Sequence, residues 1–379
     1  MKILGVAVWG LGSHAINRII PALDSMEQIS LIGVCSRSQK NVEECSLSWS
    51  CIGWTEPEEM LENNQVDVVI ISSPIGIHAF QASQVLNTGK HVWCEKPLSC
   101  SHKDTELLVQ LAKNKDLMLA ESFMYMHHSQ FKVAQEFISN SENGLLNSIV
   151  CRFGIPALSK PGFRDNISLG GGAFWDLASY PVSAVLELLP NQTAKVIFAE
   201  LIYESEESNL DSNGRVLLKF SGGTTAYLEW AVGVAYKNEV DLWLENASFF
   251  TDKIFSKPDN YQPVYHIRDN NGNEELVYGE KMNQFIQMFE YFYNVIDSPQ
   301  LYNHMYQDIL KRSRLMQEIN NYSKKINGLF FNQLINISKF NSDLSHGYFG
   351  YQGSDSYYSR AIEDPIEGSR IYSDLSLLK

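Results

Sequence analysis

The stretch GKHVWCEKPL, residues 89–98, decides the fold that we expect for this chain. Residues 91–94 predict a buried strand, which stops at the charged pair Glu95-Lys96 and at Pro97. Proline fixes φ and removes a hydrogen-bond donor of the sheet, so a sharp turn should end the strand here. The turn would leave the Lys96 ammonium at the carboxyl edge of a sheet, where open α/β folds hold their ligands.

Strands and helices alternate on both sides of this stretch. Apolar runs at residues 3–9, 31–35, 66–72 and 117–120 predict buried strands, and segments with helical spacing of apolar residues separate them. Alternation of this kind predicts a parallel, doubly wound α/β sheet.

The first of these runs is followed directly by Gly10-Leu11-Gly12-Ser13-His14-Ala15, where helical spacing begins. A G-x-G-x-x-A motif between a strand and a helix indicates a dinucleotide site. Gly10 permits the turn, Gly12 lets the backbone approach the pyrophosphate, and the small Ala15 lets the helix pack closely. The N–H groups at the helix start then face the phosphates. We therefore assign residues 1–122 to a Rossmann dinucleotide-binding domain.

The second strand ends in Ser36-Arg37-Ser38. A site that prefers NAD usually carries an acid here, which binds the ribose hydroxyls, whereas an arginine suits the 2′-phosphate of NADP. The acid is absent, so the sequence favours NADP(H) over NAD(H). The alternative is that Arg37 is a solvated loop residue.

After residue 121 the pattern changes. Residues 195–254 are rich in strands without intervening helices, and Gly222-Gly223 marks a hairpin between two of them. This predicts an α+β domain over residues 123–327, built on a mainly antiparallel sheet and closed by helices at 283–296 and 302–322. Residues 328–379 are rich in Ser, Gly, Asn and Tyr and form a tail of unknown structure.

Composition and charge exclude several classes of partner. The net charge of −14 argues against nucleic acid or an anionic membrane as a main partner. The six cysteines lie in the first half without a C-x-x-C pair, which suits reduced thiols in a cytoplasmic protein. Polar residues interrupt the N-terminal apolar run, so we interpret it as a strand and not as a signal peptide, and no run is long enough for a membrane helix.

Three motifs in order resemble those of the glucose-fructose oxidoreductase/inositol dehydrogenase family, often called Gfo/Idh/MocA. They are the glycine motif at residues 10–15, Glu95-Lys96-Pro97, and GGGAFWDLASY at residues 170–180. The resemblance covers about residues 3–325 and implies NAD(P)-dependent hydride transfer on a sugar, inositol or related carbonyl. It also implies a Rossmann domain and a second domain with an open, mainly antiparallel sheet, which often forms dimer or tetramer contacts. Many members have histidine in place of Tyr180, and related chains often have arginine in place of Met126.

The chemistry of the motifs predicts Lys96, Asp176 and Tyr180 as catalytic residues. Asp176 and Tyr180 are four residues apart on a predicted helix, so they share one face. Tyr180 would donate a proton to the alkoxide, with its pKa lowered by the nearby Lys96 ammonium, and Lys96 would polarise the carbonyl oxygen. Asp176 would orient the lysine or a substrate hydroxyl. Taken alone, Asp176 could be a helix N-terminal acid and Tyr180 a core residue.

We expect further residues to contact the cofactor and the substrate. The predicted cofactor-binding set is Gly10, Gly12, Ser13, His14, Ala15, Ser36, Arg37, Ser38, Ser73, Pro74, His78, Glu95 and Lys96. The predicted substrate contacts are Tyr125, His128, Arg164 and Trp175. The adjacent His127 and His128 lack a third spaced ligand, so no metal site is expected.

The leading hypothesis is an NADP-dependent oxidoreductase that acts on a sugar or a nucleotide-linked sugar. One alternative is a dihydrodiol dehydrogenase, which shares these motifs. The other is a non-catalytic NADP-binding regulator, against which the joint presence of Lys96, Asp176 and Tyr180 argues. An apolar sheet face that few helices can cover predicts a homodimer or homotetramer.

Overall fold

The computed structural model describes residues 2–205 and 207–327, and the tail predicted at 328–379 lies outside these residues. The first sheet has six parallel strands in the order β3-β2-β1-β4-β5-β6. The β4 sequence VVII is fully buried, as expected of a strand covered on both faces. The predicted doubly wound sheet is therefore confirmed. Its strands are β1 (Leu4–Trp9), β2 (Ile29–Cys35), β3 (Ile52–Trp54), β4 (Val68–Ile71), β5 (His91–Glu95) and β6 (Leu119–Ser122).

Five α-helices connect these strands. A π-helical turn at Ala15–Ile19 precedes the first of them. The Ser38 hydroxyl accepts from the Asn41 N–H and caps the second, while Ser101 caps the fifth through the Asp104 N–H. The helices are α1 (Ile20–Asp24), α2 (Gln39–Trp49), α3 (Pro57–Glu62), α4 (His78–Asn87) and α5 (His102–Asn114).

The second sheet has nine strands in the order β14-β13-β12-β11-β7-β10-β9-β8-β15. Most neighbours are antiparallel, as predicted, but β10 pairs with β7 and β15 with β8 in parallel. The predicted hairpin at Gly222-Gly223 joins β9 and β10. The strands are β7 (Leu146–Ile155), β8 (Ala194–Tyr203), β9 (Asp211–Phe220), β10 (Thr225–Val232), β11 (Lys237–Leu244), β12 (Ala247–Asp252), β13 (Val264–Asp269), β14 (Glu274–Tyr278) and β15 (Lys324–Asn327).

Four α-helices accompany this sheet: α6 (Ser129–Ser139), α7 (Ser179–Leu188), α8 (Gln284–Val295) and α9 (Pro299–Tyr322). Trp93, at the centre of β5, stacks on Phe289 of α8 at 5.6 Å between ring centroids. The Tyr306 hydroxyl of α9 donates to the Leu117 carbonyl at 2.5 Å. The last helices therefore cover the first sheet as well, and the described residues form one compact unit. None of the helices described is long and apolar enough to span a membrane.

Arg312 of α9 connects the two sheets through two carboxylates, of which the Glu121 side chain is 5% and the Glu187 side chain 24% exposed. Its Nε donates to Glu121 of β6 at 2.9 Å, and its Nη1 donates to Glu187 of α7 at 3.0 Å. Burial raises the pKa of Glu187, and the Arg312 charge opposes that rise. Glu121 also accepts from the Leu98 N–H at 2.9 Å, just beyond the Lys96-Pro97 turn. Arg312 thus supports the turn that carries Lys96.

We predict that Arg312→Leu destabilises the fold by about 3 kcal/mol, because it leaves the buried Glu121 carboxylate and the partly buried Glu187 carboxylate without a cation. Chemical denaturation of wild type and variant measures the change. The triple variant Arg312→Leu/Glu121→Gln/Glu187→Gln should recover part of the loss. An Arg312→Leu protein with the wild-type denaturation midpoint would contradict this role.

Candidate functional site

A cleft of about 1100 Å³ runs along the carboxyl edge of the first sheet and faces the second. The ends of β1, β2, β4 and β5 form one wall. Phe153 and Ile155 of β7, together with Asp176 and Tyr180, form part of the other. The cleft is therefore where doubly wound sheets hold dinucleotides.

The glycine motif has the shape that a dinucleotide requires. Gly10 has φ +108°, and a Cβ there would lie 2.6 Å from the Ser72 carbonyl carbon. A Cβ on Gly12 would meet nothing within 4 Å, so the backbone is open to a ligand. Ser13 and His14 line the cleft, while Ala15 is buried beneath the helix start. These residues fit a pyrophosphate at the helix N-terminus.

The far end of the cleft holds the segment that the sequence assigns to the 2′-phosphate. Ser36 and Arg37 line the cleft, whereas the Ser38 side chain caps α2. Glu56 and Glu58, both exposed, line the same end. Burial, followed by the charges of these acids, raises the pKa of the Cys35 thiol to about 12. A 2′-phosphate at this end would meet one cation and two nearby acids.

His78 supports the turn that carries Lys96. Its Nδ1 lies 2.9 Å from the Pro97 carbonyl oxygen and its Nε2 lies 2.8 Å from that of Ser73. The Lys96-Pro97 peptide is cis. Burial lowers the pKa of His78, although the two carbonyls oppose that shift. His78 borders the cleft, and its single N–H can donate to one of these two carbonyls, so it links the Ser73-Pro74 segment to the Lys96 turn.

Lys96 and Asp176 meet at the centre of the cleft. The Lys96 ammonium donates to the Asp176 backbone carbonyl at 2.7 Å and to its Oδ1 at 3.1 Å. Arg164 donates from Nε to the other carboxylate oxygen at 2.6 Å. Burial alone would raise the pKa of Asp176, but the charges and hydrogen bonds of the two cations outweigh it and lower the pKa. Asp176 is therefore a carboxylate that holds Lys96 in place.

Asp176 and Tyr180 lie on one continuous helical segment. Its first turn, Phe174–Ala178, is π-helical and α7 follows directly. Gly172, just before it, has φ +95°, and a Cβ there would approach Oδ1 of Asp211 to 2.4 Å. Gly172 therefore allows the chain to approach Asp211 closely just before the helix begins.

Tyr180 lies against Lys96 in an aromatic enclosure. The Lys96 Nζ is 4.4 Å from the Tyr180 ring centroid, and the rings of Phe123, Phe153 and Phe255 surround the tyrosine. Burial, followed by the charges of Glu95 and Asp176, raises the pKa of Tyr180 well above 10. The expectation that Lys96 lowers this pKa is wrong, because the ammonium faces the ring and Asp176 compensates its charge.

Glu95 and His14 complete the predicted cofactor wall. The His14 Nε2 lies 3.3 Å from Oε1 of Glu95. Burial raises the pKa of Glu95, but the charges of His14, Lys96 and His78 lower it further than burial raises it. Both residues line the cleft with Ser73 and Pro74.

Three of the four predicted substrate contacts lie outside the cleft; only Arg164 lines it. Tyr125 is fully buried, and its hydroxyl lies 2.6 Å from the Ser183 hydroxyl oxygen. His128 is buried at the start of α6, where its Nδ1 accepts from the Gln130 N–H at 3.0 Å. Trp175 packs edge-on against Phe174 at 4.8 Å. Tyr125 and His128 are therefore part of the core, and Trp175 packs against it while partly buried.

The structure adds cleft residues that motif reasoning missed. Met124, Phe153, Lys257, Gln284 and Phe285 all line the cleft. Lys257 lies between β12 and β13, in a region without a recognisable motif. Its neighbours Ser256, Pro258 and Asp259 are typical of an exposed loop, so the sequence gives no signal that Lys257 is buried.

Two segments of the chain match models of one oxidoreductase family. Residues 4–123 match an oxidoreductase family described as having an NAD-binding Rossmann fold, and residues 131–249 match the GFO/IDH/MocA C-terminal domain. A dTDP-3,4-didehydro-2,6-dideoxy-alpha-D-glucose 3-reductase of Saccharopolyspora spinosa is 31% identical over 73% of this chain and 82% of its own. The enzyme of the same name from Actinomadura kijaniata is 27% identical over 85% of this chain and 96% of its own.

A solved structure is also similar over most of the chain. It is a 3-ketoreductase from Actinomadura kijaniata in complex with NADP and TDP-benzene. It superposes with a TM-score of 0.81 at 25% identity and covers 86% of this chain and 99% of its own.

Proposed function

The chain belongs to the Gfo/Idh/MocA family of oxidoreductases, and from that premise we propose that it reduces a keto group of a dTDP-linked sugar with NADPH. One observation carries the proposal: Lys96, Asp176 and Tyr180 converge beside an open glycine turn at the carboxyl edge of a parallel sheet. The similarity to reductases of dTDP-linked deoxysugars supports the nucleotide-linked substrate.

The residues of the cleft can perform the two halves of a carbonyl reduction. NADPH, when bound, supplies the hydride. Two of the three N–H groups of the Lys96 ammonium donate hydrogen bonds to Asp176. The third N–H can donate to the substrate oxygen. A fixed ammonium at that oxygen stabilises the negative charge as it develops. The ammonium needs no reorganisation during the reaction, because Asp176 holds it beforehand.

Tyr180 supplies the proton. Its raised pKa keeps the phenol protonated at neutral pH. An alkoxide is a much stronger base than a phenolate, so the transfer remains favourable in this direction. The Phe123, Phe153 and Phe255 rings restrict the tyrosine to one position. The site is therefore better prepared for reduction than for oxidation at neutral pH.

The charges of the cleft favour an anionic substrate. Lys160, Arg164 and Lys257 line it on the side of the second sheet. A nucleotide-linked sugar carries a diphosphate that these cations can bind. A neutral aromatic dihydrodiol offers them no partner, which disfavours the dihydrodiol dehydrogenase alternative. A regulator that only binds NADP has no use for the Lys96–Asp176–Tyr180 arrangement.

We predict that the protein oxidises NADPH with dTDP-linked keto-sugars and not with the free sugars, as followed by NADPH absorbance. Lys96→Met should lower kcat by roughly two to three orders of magnitude, the loss expected for one electrostatic donor. Tyr180→Phe should lower kcat by about 10²–10⁴, as for a lost general acid. NADPH affinity should change little in both, since the glycine turn holds the pyrophosphate.

Tyr125→Phe is the matched control, because this tyrosine lies outside the cleft and loses only its contact with Ser183. Its kcat should stay near the wild-type value. Turnover of a dihydrodiol or a free aldose without turnover of any dTDP-linked keto-sugar would contradict the proposed substrate class. Wild-type turnover in Tyr180→Phe would remove the tyrosine from the mechanism.

We predict that NADP(H) binds more tightly than NAD(H), and that Arg37→Asp narrows or reverses the preference because an acid favours a free ribose 2′-hydroxyl. Fluorescence titration of both reduced cofactors measures the ratio. Lys40→Asp, with the same charge change on the exposed face of α2, is the control and should leave the ratio unchanged. Equal affinities in the parent protein would refute the assignment of Arg37.

The second sheet supports a proposal about assembly. One of its faces carries partly exposed Val150 and Tyr227, with Phe198 38% and Trp243 61% exposed. Arg152 crosses this face and pairs with Glu229 and Glu239 at 3.1 and 2.9 Å. An apolar face with half-buried ion pairs suits contact with a second copy of this chain.

We predict that light scattering at micromolar concentration gives at least twice the 43.0 kDa chain mass. Trp243→Glu should shift the protein toward monomer by placing a charge on the apolar face. Leu47→Glu, on exposed α2, should not. A monomeric wild-type protein would rule the interface out.

The six cysteines of the chain are free thiols in the structure. Four of them are buried. Thiols that are maintained without disulfides support a cytoplasmic location. Fractionation of the source cells, with recovery in the cytoplasmic fraction, checks this.

A further inference from the structure

Lys257 is a buried cation in the wall of the cleft. It lies in the segment between β12 and β13 and is only 5% exposed. Its Nζ donates to the Ile254 carbonyl at 2.8 Å and to Oε1 of Gln284 at 3.1 Å. An ammonium has three protons, so one remains for a further acceptor.

In the part of the chain that the structure describes, Lys257 has no carboxylate partner to balance its charge. Within residues 2–205 and 207–327, no carboxylate oxygen forms an ion pair with its Nζ. Burial lowers the pKa of Lys257 to about 7, since nothing compensates the charged form. Burial and the charge of Lys257 lower the pKa of the neighbouring His128 to about 3, so this imidazole is neutral. Buried lysines usually have a carboxylate partner, and here a ligand can take that place.

The segment is fixed in position, so Lys257 faces the cleft in a defined way. The Asn238 side chain accepts from the Phe255 N–H at 2.8 Å and donates to the Ser256 carbonyl at 2.8 Å. Phe255 packs against Tyr180, with 5.7 Å between ring centroids. Such preorganisation lowers the entropic cost of binding at Lys257.

The same wall approaches the phosphate-binding turn. Phe285, next to Gln284, packs edge-on against His14 at 5.4 Å. Arg18, on the helix after the glycine turn, pairs with Asp259 at 3.2 Å, two residues beyond Lys257. Lys257 therefore faces the region between the glycine turn and Tyr180, where the phosphates of both a cofactor and a nucleotide-linked sugar can reach.

We propose that Lys257 and Gln284 form a subsite for the diphosphate group of a bound nucleotide. The ammonium supplies a charge-assisted hydrogen bond to a phosphate oxygen, and Gln284 holds the ammonium toward the cleft. Two nucleotides carry this group, NADPH and the dTDP-linked sugar. Assignment of the subsite to the dTDP-linked sugar rests on the proposed function, whereas assignment to NADPH does not.

The test measures binding and needs no turnover. Dissociation constants for NADPH, by fluorescence, and for dTDP in the presence of NADP, by calorimetry, are compared in wild type and Lys257→Met. We expect one of the two to weaken roughly tenfold to a hundredfold, as for the loss of a hydrogen bond to a charged group. Weaker NADPH binding assigns the subsite to the cofactor, and weaker dTDP binding assigns it to the substrate.

Lys253→Met is the matched control. Lys253 lies in the same segment outside the cleft, where its Nζ faces the Tyr261 ring at 4.8 Å. The net charge changes equally, so both dissociation constants should stay at the wild-type values. Lys257→Arg keeps the cation and should retain most of the affinity.

Gln284→Glu distinguishes an effect on diphosphate binding from an effect on the stability of the fold. The new carboxylate would pair with Lys257, so the thermal midpoint should stay equal or rise while diphosphate binding weakens about tenfold. A purely structural role for Lys257 cannot produce both effects. Unchanged dissociation constants for NADPH and dTDP in Gln284→Glu, or in a folded Lys257→Met protein, would overturn the proposal. Should Lys257→Met fail to fold, the Gln284→Glu result decides alone.

Discussion

The buried ion pair between Lys96 and Asp176 is the interaction on which the site depends. The lysine comes from the end of a parallel strand and the aspartate from a helix on the second sheet. Their side chains are 7% and 8% exposed, and removing two charges from water costs several kcal/mol for each ion. Short hydrogen bonds and the added charge of Arg164 offset that cost. The pair therefore forms only when both sheets are correctly placed.

The pair also determines the electrostatics of the cleft. The Asp176 carboxylate neutralises much of the Lys96 charge. Burial raises the pKa of Tyr180, so its hydroxyl stays protonated and can donate a proton. The chain as a whole has a net charge of −14, yet the cleft gathers several cations. Six cations against four carboxylates (Glu56, Glu58, Glu95 and Asp176) leave the cleft lining with a small positive charge in an acidic protein, which favours anionic ligands there. These cations are Arg18, Arg37, Lys96, Lys160, Arg164 and Lys257.

Much of the fold and the catalytic centre could be predicted because the sequence encodes them locally. Apolar runs and the glycine turn specify the first sheet, and spacing of four residues places Asp176 and Tyr180 on one segment. The strands β13 and β14 were missed, since neither is continuously apolar. Tyr125, His128 and Trp175 lie outside the cleft, since polar aromatic residues near a motif can equally pack in or against the core. The burial of Lys257 in the cleft wall depends on contacts between distant segments, which the spacing of apolar residues along the sequence does not reveal.

A double-mutant cycle on kcat tests the central claim most directly. Lys96→Met, Asp176→Asn and the double variant would be compared with wild type on a dTDP-linked keto-sugar at saturating NADPH. If Asp176 acts by holding Lys96, the double variant should lose about as much as Lys96→Met alone, because the aspartate has nothing left to position. The contrary result is a double variant whose loss in kcat equals the product of the two single losses, with both single variants folded and binding NADPH normally. It would show that the two residues act independently and would contradict the account.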